Sequence, residues 1–316
     1  MWQLTLATAG FEKHGKLTRR AAFLAEMEEV VPWRELCAVV EPYYPKRGNG
    51  RPPIGLERML RLHFLQHWFN LSDPAVEEAL YESVSMRRFV GIDLGHEPVP
   101  DETTILNFRH LLERHDLAQA LFARVNAYLA SRGLQVKGGT IVDATIITAP
   151  SSTKNKAQAR DPEMRQTRKG QQWYFGMKLH VGVDSKTKLI HAMTTTGANV
   201  HDAKVLGQLL HGGERRVYGD QAYRGQTTVI REHAPKARDF TNRRYRQRGV
   251  VDEVERGKNR TKAAVRAKVE HSIGVIKRVF GFTKVRYRGL AKNTHHLWVT
   301  CGLANLFIAR HRLLRV

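Results

Sequence analysis

Cysteine is scarce in this chain: Cys37 and Cys301 stand far apart, and neither has a CxxC neighbour. That excludes a disulfide framework and a cysteine-ligated zinc site. Long apolar runs are missing as well, and no window approaches the ~18 uninterrupted apolar residues of a membrane helix. The N-terminus has no basic segment followed by an apolar stretch, so a soluble intracellular protein is expected. Acidic residues are scarce in one half only. Residues 1–140 hold 17 basic and 17 acidic side chains, whereas 141–316 hold 35 and 13, so the later half supplies the whole net charge of +22. A cationic field of that size favours a polyanion. Nucleic acid is the commonest, with an anionic membrane surface or a ribosomal location as alternatives. With 316 residues and 42% hydrophobic content, the chain can build a real core, in one large domain or two linked ones.

The first 135 or so residues are mainly helical in pattern. A helix is expected from about Thr18 to Val31, ended by Pro32. The stretch PYYPKRGNGRPP, from Pro42 to Pro53, reads as a linker or a phosphate-touching arm. Helical periodicity resumes from Leu56 to Phe69. A further helix is expected to start with Asp73 as cap and Pro74 in its first turn and to run to Phe89. Others follow Asp101 and include Leu117 to Leu129. Such short helices permit a helix-turn-helix but equally any helical bundle.

The pattern changes at Lys137-Gly138-Gly139. Residues 140–147, TIVDATII, are dense in β-branched side chains and read as a covered strand. Residues 151–172 read as a long polar loop. Strands at 173–183 and 189–195 flank the turn-like DSKT and make plausible antiparallel neighbours. A short helix over Asp202–Leu210, capped by Asn199 or His201, a short strand over 215–220 and a helix over 227–233 follow. A polar stretch then extends to about Asn259. The last helices are expected at about 261–280 and 295–314.

Three acids sit at chemically useful places. Asp143 lies inside the apolar strand, where a carboxylate is costly unless paired or metal-bound. Asp220 follows a short strand, a common location for sites in α/β proteins. Glu270 lies on the late helix with Arg266 and Lys277 near the same face. Arg266 and Glu270 alone would be an ordinary i,i+4 pair of about 0.2–0.5 kcal/mol, which leaves the two aspartates unexplained. If the three acids converge, divalent ions are the direct way to offset their repulsion. Two such ions can prepare water or a DNA 3′-hydroxyl for in-line attack. Arg266 and Lys277 would then face phosphate.

At TIVDATII, VYGDQAY and RAKVEHSIGVIK the chain resembles the DDE transposases of bacterial insertion sequences, most closely the group named for insertion sequence five. GRPPIGLERMLRLHF and PDETTILNFRHLLE extend the similarity over roughly residues 45–310. The resemblance implies an α/β fold: a ribonuclease-H-like catalytic core, a mixed sheet flanked by helices, over 136–316, and a helical DNA-recognition or assembly domain over 1–135. Asp143, Asp220 and Glu270 would be the catalytic metal ligands, helped by Arg266 and Lys277. The family's late helix also carries a tyrosine, and here Ala263 stands in its place. Separations of 77 residues from Asp143 to Asp220 and 50 from Asp220 to Glu270 leave little room for a large inserted domain before the glutamate.

The implied cofactor is Mg²⁺, with Mn²⁺ as an alternative, as two ions in the active complex. The implied partners are double-stranded DNA, both terminal inverted repeats and target, and a second copy in a homodimer. The implied location is the bacterial cytoplasm, at the nucleoid when bound. A nuclease that cuts without strand transfer would use the same acids, and an inactive DNA-binding descendant would have had little reason to keep them. Lys154 and Lys156 in the polar loop, with Arg243, Arg244, Arg246 and Arg248, are the candidate DNA-backbone contacts. Gln221 is a further candidate contact. His180, His201 and His271 belong to no HExxH motif and read as structural or solvated, the alternative being that His201-Asp202 or His271 orients water or phosphate. Tyr218 and Tyr223 flank Asp220 but lack the Arg/His setting of a recombinase nucleophile. Trp298 reads as core, with base stacking as the alternative.

Overall fold

The computed structural model describes residues 16–49, 52–134, 138–154, 156, 158–247 and 250–315. Seven helices come first: α1 (Arg19–Val30), α2 (Trp33–Val40), α3 (Leu56–Phe69), α4 (Asp73–Glu82), α5 (Val84–Val90), α6 (Glu102–Arg114) and α7 (Leu117–Ser131). Local chemistry sets several of their starts. Thr18 Oγ1 accepts from Ala21 N–H at 3.1 Å, and Asp101 Oδ1 accepts from Thr104 N–H at 2.6 Å. The cap of α4 is Ser72, not Asp73, because Asp73 is engaged by Arg109 at 3.0 Å and by Gln66 at 2.7 Å. The single helix expected over 73–89 is two, since Ser83 leaves helical geometry, and its Oγ caps α5 at Met86 N–H.

A mixed sheet follows, built from β1 (Thr140–Thr148), β2 (Arg165–Lys169), β3 (Gln172–Asp184), β4 (Ile190–Gly197), β5 (Arg216–Tyr218) and β6 (Arg238–Asp239). β3 runs antiparallel to β1, while β5 is parallel to β1 and β6 to β5, giving the order β3-β1-β5-β6. β4 and β2 pair in succession along the other edge of the long β3. This is a ribonuclease-H-like core. The loop expected over 151–172 thus contains a strand, and β2 with the start of β3 forms a ribbon beyond the main sheet. A small pair, β7 (Arg246–Gln247) and β8 (Val250–Val251), precedes α8 (Glu253–Arg266), α9 (Val269–Gly274), a π-turn (Val275–Val279) and α10 (Leu290–Leu313). The 3₁₀ turn Asp202–Leu209 and the helix Thr227–His233 lie between β4 and β6.

One face of the sheet carries Ile141, Ile147, Leu179, Val181 and Val183 into the main core, which also takes in Leu60, Leu121, Val269, Ile273 and Leu303. Val142, on the other face, packs with Leu206, Leu209, Tyr223 and Ile230 in a smaller cluster. α10 joins helices to sheet: Asn305 donates to Asn126 Oδ1 on α7 and to Ile190 O on β4, and its own oxygen accepts from Ile190 N–H. Among the described residues no helix is long and apolar enough to cross a membrane.

Candidate active site

The alternation of β1 puts Asp143 and Thr145 on the face that packs against α9, between Ile141 and Ile147. Asp143 Oδ1 accepts from Ala144 N–H at 2.8 Å, and its Oδ2 lies 3.4 Å from Arg266 Nη1 at the end of α8. Burial lifts the Asp143 carboxyl to about 6, against the pull of Ala144 N–H and Arg266, and the charges of Asp220 and Glu270 add to the rise. Asp220 and Glu270 are each therefore within electrostatic reach of Asp143.

Parallel pairing accounts for the second acid. β1 and β5 pair Thr140 with Val217 and Ile141 with Tyr218, so two residues further along each strand stand Asp143 and Asp220. Asp220 caps the tight turn Gln221–Tyr223, accepting from Ala222 N–H at 2.9 Å through Oδ1. Gln221 is exposed beside it. Glu270 is exposed on the first turn of α9. The continuous helix expected over 261–280 is interrupted at Ala267–Lys268 and begins earlier, at Glu253, where Asp252 caps it through Glu255 N–H. The interruption separates Arg266 from Glu270. Lys277 lies in the π-turn and is fastened to β1, donating to Ile146 O at 2.9 Å and Thr145 Oγ1 at 3.2 Å. Burial, with the charge of Lys169 on the ribbon, holds its amine below the usual range.

Sequence reasoning missed Lys178 and the role of Asp202. Lys178 Nζ donates to Asp202 Oδ1 at 2.8 Å and to Val200 O at 2.7 Å, which fixes the segment after β4. Asp202 in turn belongs to the acidic surroundings of Tyr223, whose buried hydroxyl has no hydrogen-bond partner. Burial and the charges of Asp202, Asp143 and Asp220 hold that hydroxyl protonated far above its ordinary range. Such a phenol is a poor nucleophile. No sequence pattern announces these contacts, because they cross between strands.

The remaining candidates separate cleanly. His180 is fully buried, bonded to Thr196 Oγ1 at 2.9 Å, and burial lowers it to about 4. His201 accepts from Ala203 N–H and serves as the cap of its 3₁₀ turn. His271 faces Lys188 and Arg310, whose charges with burial lower it, and it shares a cavity with Arg312 instead of the acids. Trp298 packs on Phe122 with ring centroids 5.1 Å apart. Lys154, Lys156, Arg243, Arg244 and Arg246 are exposed, and Arg248 lies outside the described residues. The ribbon adds exposed Arg165, Arg168 and Lys169, with Trp173 65% exposed opposite Arg168.

Three carboxylates make a hard oxygen donor set suited to divalent Mg²⁺ or Mn²⁺. The lifted Asp143 carboxyl is the strain that a cation would relieve. Their donor atoms are nevertheless not within 4.8 Å of one another; among the described residues His191, His211 and Glu214 alone meet that distance.

The family described as Transposase DDE domain matches residues 134–306, and the one described as Transposase domain (DUF772) matches residues 12–111. No solved structure matches the chain.

Proposed function

Because the chain belongs to the Transposase DDE domain family and is a metal-dependent enzyme, we propose that it cuts DNA at the ends of an insertion sequence and joins the exposed 3′-hydroxyls to target DNA. The observation that carries this reading is geometric: half-buried Asp143 on β1 and Asp220 each stand two residues beyond the paired Ile141 and Tyr218, with Arg266 Nη1 3.4 Å from Asp143.

In the first step water attacks the scissile phosphorus, and the bond to the 3′-oxygen breaks, leaving a 3′-hydroxyl and a 5′-phosphate. In the second step that hydroxyl oxygen attacks a target phosphorus, one diester forms and one breaks, and no protein–DNA bond is made. Divalent ions held by Asp143, Asp220 and Glu270 would supply activation of the entering oxygen and stabilisation of the leaving one. Asp143 and Asp220 each have one oxygen fixed by a backbone N–H, which orients the other. Glu270, exposed on a short helical turn, would close the ligand set from the open side. Arg266 offsets the Asp143 charge and supplies a guanidinium to a non-bridging phosphate oxygen. Lys277, held on β1, steers the backbone of the same strand.

Residues 136–316 would carry the chemistry and 1–135 recognition or assembly, two copies holding two ends. Lys154, Lys156, Arg243, Arg244, Arg246 and the ribbon would follow the phosphates. Labelled terminal repeats, a target plasmid and Mg²⁺ test the reading. Joined products are expected, and D143A, D220A and E270A should abolish joining while each still shifts the labelled DNA. Cutting without joining would support a nuclease instead, and joining by those variants would refute the site.

A further inference from the structure

His191, His211 and Glu214 have a different chemistry from the acid cluster. Each offers one donor atom within 4.8 Å of the other two. Two imidazoles and a carboxylate suit a borderline ion such as Zn²⁺, whereas Mg²⁺ favours all-oxygen sets.

The backbone is shaped to bring these groups together. β3 and β4 pair Gly182 with Ala192 but Val183 with Ile190, so His191 is the extra residue of a β-bulge. A bulge re-aims one side chain. The imidazole passes over Gly182, where an added Cβ would lie 2.9 Å from His191 Cε1 and 2.5 Å from Leu209 O. With no side chain in the way, His191 Nε2 reaches Thr140 Oγ1, 3.0 Å distant at the start of β1.

Glu214 completes the set from the segment entering β5. It is fully buried; Oε1 accepts from Thr140 Oγ1 at 3.1 Å and from His211 N–H at 2.8 Å, and lies 3.4 Å from His211 Nε2. Its other oxygen, Oε2, is buried with no hydrogen-bond partner. A carboxylate oxygen left so is costly, and a cation is the group that satisfies it. Both imidazoles line a cavity of about 460 Å³ bordered by Gln208, Met193 and Trp298, which gives an ion a way in.

We propose that His191, His211 and Glu214 bind one Zn²⁺ that clasps β4, the loop before β5 and the start of β1. The ion has a positioning role: Asp143 lies three residues along β1 from Thr140, and Asp220 lies six residues after Glu214. The site stands independently of strand transfer.

Zn²⁺ alone is the probe, titrated by calorimetry into the metal-free full-length protein in excess Mg²⁺, with Co²⁺ absorption reporting ligand type. One equivalent is expected to bind the wild type and to raise its Tm. H211Q and E214Q should weaken that binding roughly tenfold or more while retaining the wild-type circular dichroism spectrum without metal. A D143N/D220N/E270Q triple variant should keep the Zn²⁺ equivalent unchanged. No Zn²⁺ binding by the wild type would mean an ordinary His211–Glu214 ion pair and overturn the proposal. Undiminished binding in H211Q and E214Q, or its loss in the triple variant, would overturn it too.

Discussion

Asp143 bears a charge where the fold disfavours one. Its carboxyl is lifted to about 6 from an ordinary value of 3.8, so the metal-free native state binds a proton that the unfolded chain releases. The associated stability is complete below about pH 4 and is lost as pH rises through about 6. A rise of that size corresponds to about 3 kcal/mol as an upper figure. D143N, which cannot ionise, should match the wild type near pH 4 and become the more stable protein by pH 7.5, in thermal melts run with EDTA. Equal melts at both pH values would show that Arg266 fully compensates the charge. The place of Asp143 in a covered strand was legible in sequence, since a lone carboxylate among β-branched residues is conspicuous. The bond from Lys178 to Asp202 was not, because it crosses from β3 to the segment after β4 and nothing local marks it. The same applies to the buried Glu214, whose partner Thr140 comes from a distant strand.

The helix expected over 56–69 and the strands expected over 173–183 and 189–195 match α3, β3 and β4 within two residues, although α3 is buried on every side from Met59 to Trp68 and β3 on both faces from Leu179 to Asp184. β2, the first strand of the ribbon, escaped because both its faces meet solvent, leaving no alternation to detect. Gly176 marks where β3 leaves the sheet; an added Cβ there would lie 2.1 Å from Ile147 O. The breaks at Ser83 and Ala267–Lys268 were also unreadable, since apolar spacing continues across both. The ribbon makes its own prediction. The charge of Lys169 reaches Lys277, which is bonded to β1 at Thr145 and Ile146. R168A/K169A should weaken binding to duplexes of any sequence and flatten the dependence of log Kd on log salt by about one to two. Fluorescence anisotropy across a salt series measures this, and an unchanged slope would remove the ribbon from the DNA path.

Across the whole molecule, charge and packing divide the chain differently. The excess of basic side chains belongs to residues 141–316, yet the core is continuous from Leu24 to Ala309, with α10 packed on both the helices and β4. A division of labour near residue 135 would thus be one of function alone, since the hydrophobic packing is shared. Arg310 pairs with Glu26 at 3.0 Å and His295 with Asp116 at 3.1 Å across the same junction. The net charge of +22, supplied by residues 141–316, would draw a phosphate backbone toward the proposed acidic centre. Iron-directed cleavage locates that centre most directly. With Zn²⁺ already bound, Fe²⁺, ascorbate and peroxide should fragment the protein near Asp143, Asp220 and Glu270, and Mg²⁺ or the D143N change should suppress the cuts. Fragments confined to the neighbourhood of His191, His211 and Glu214, or cuts near the acids that persist in D143N, would contradict a metal centre built on those three acids.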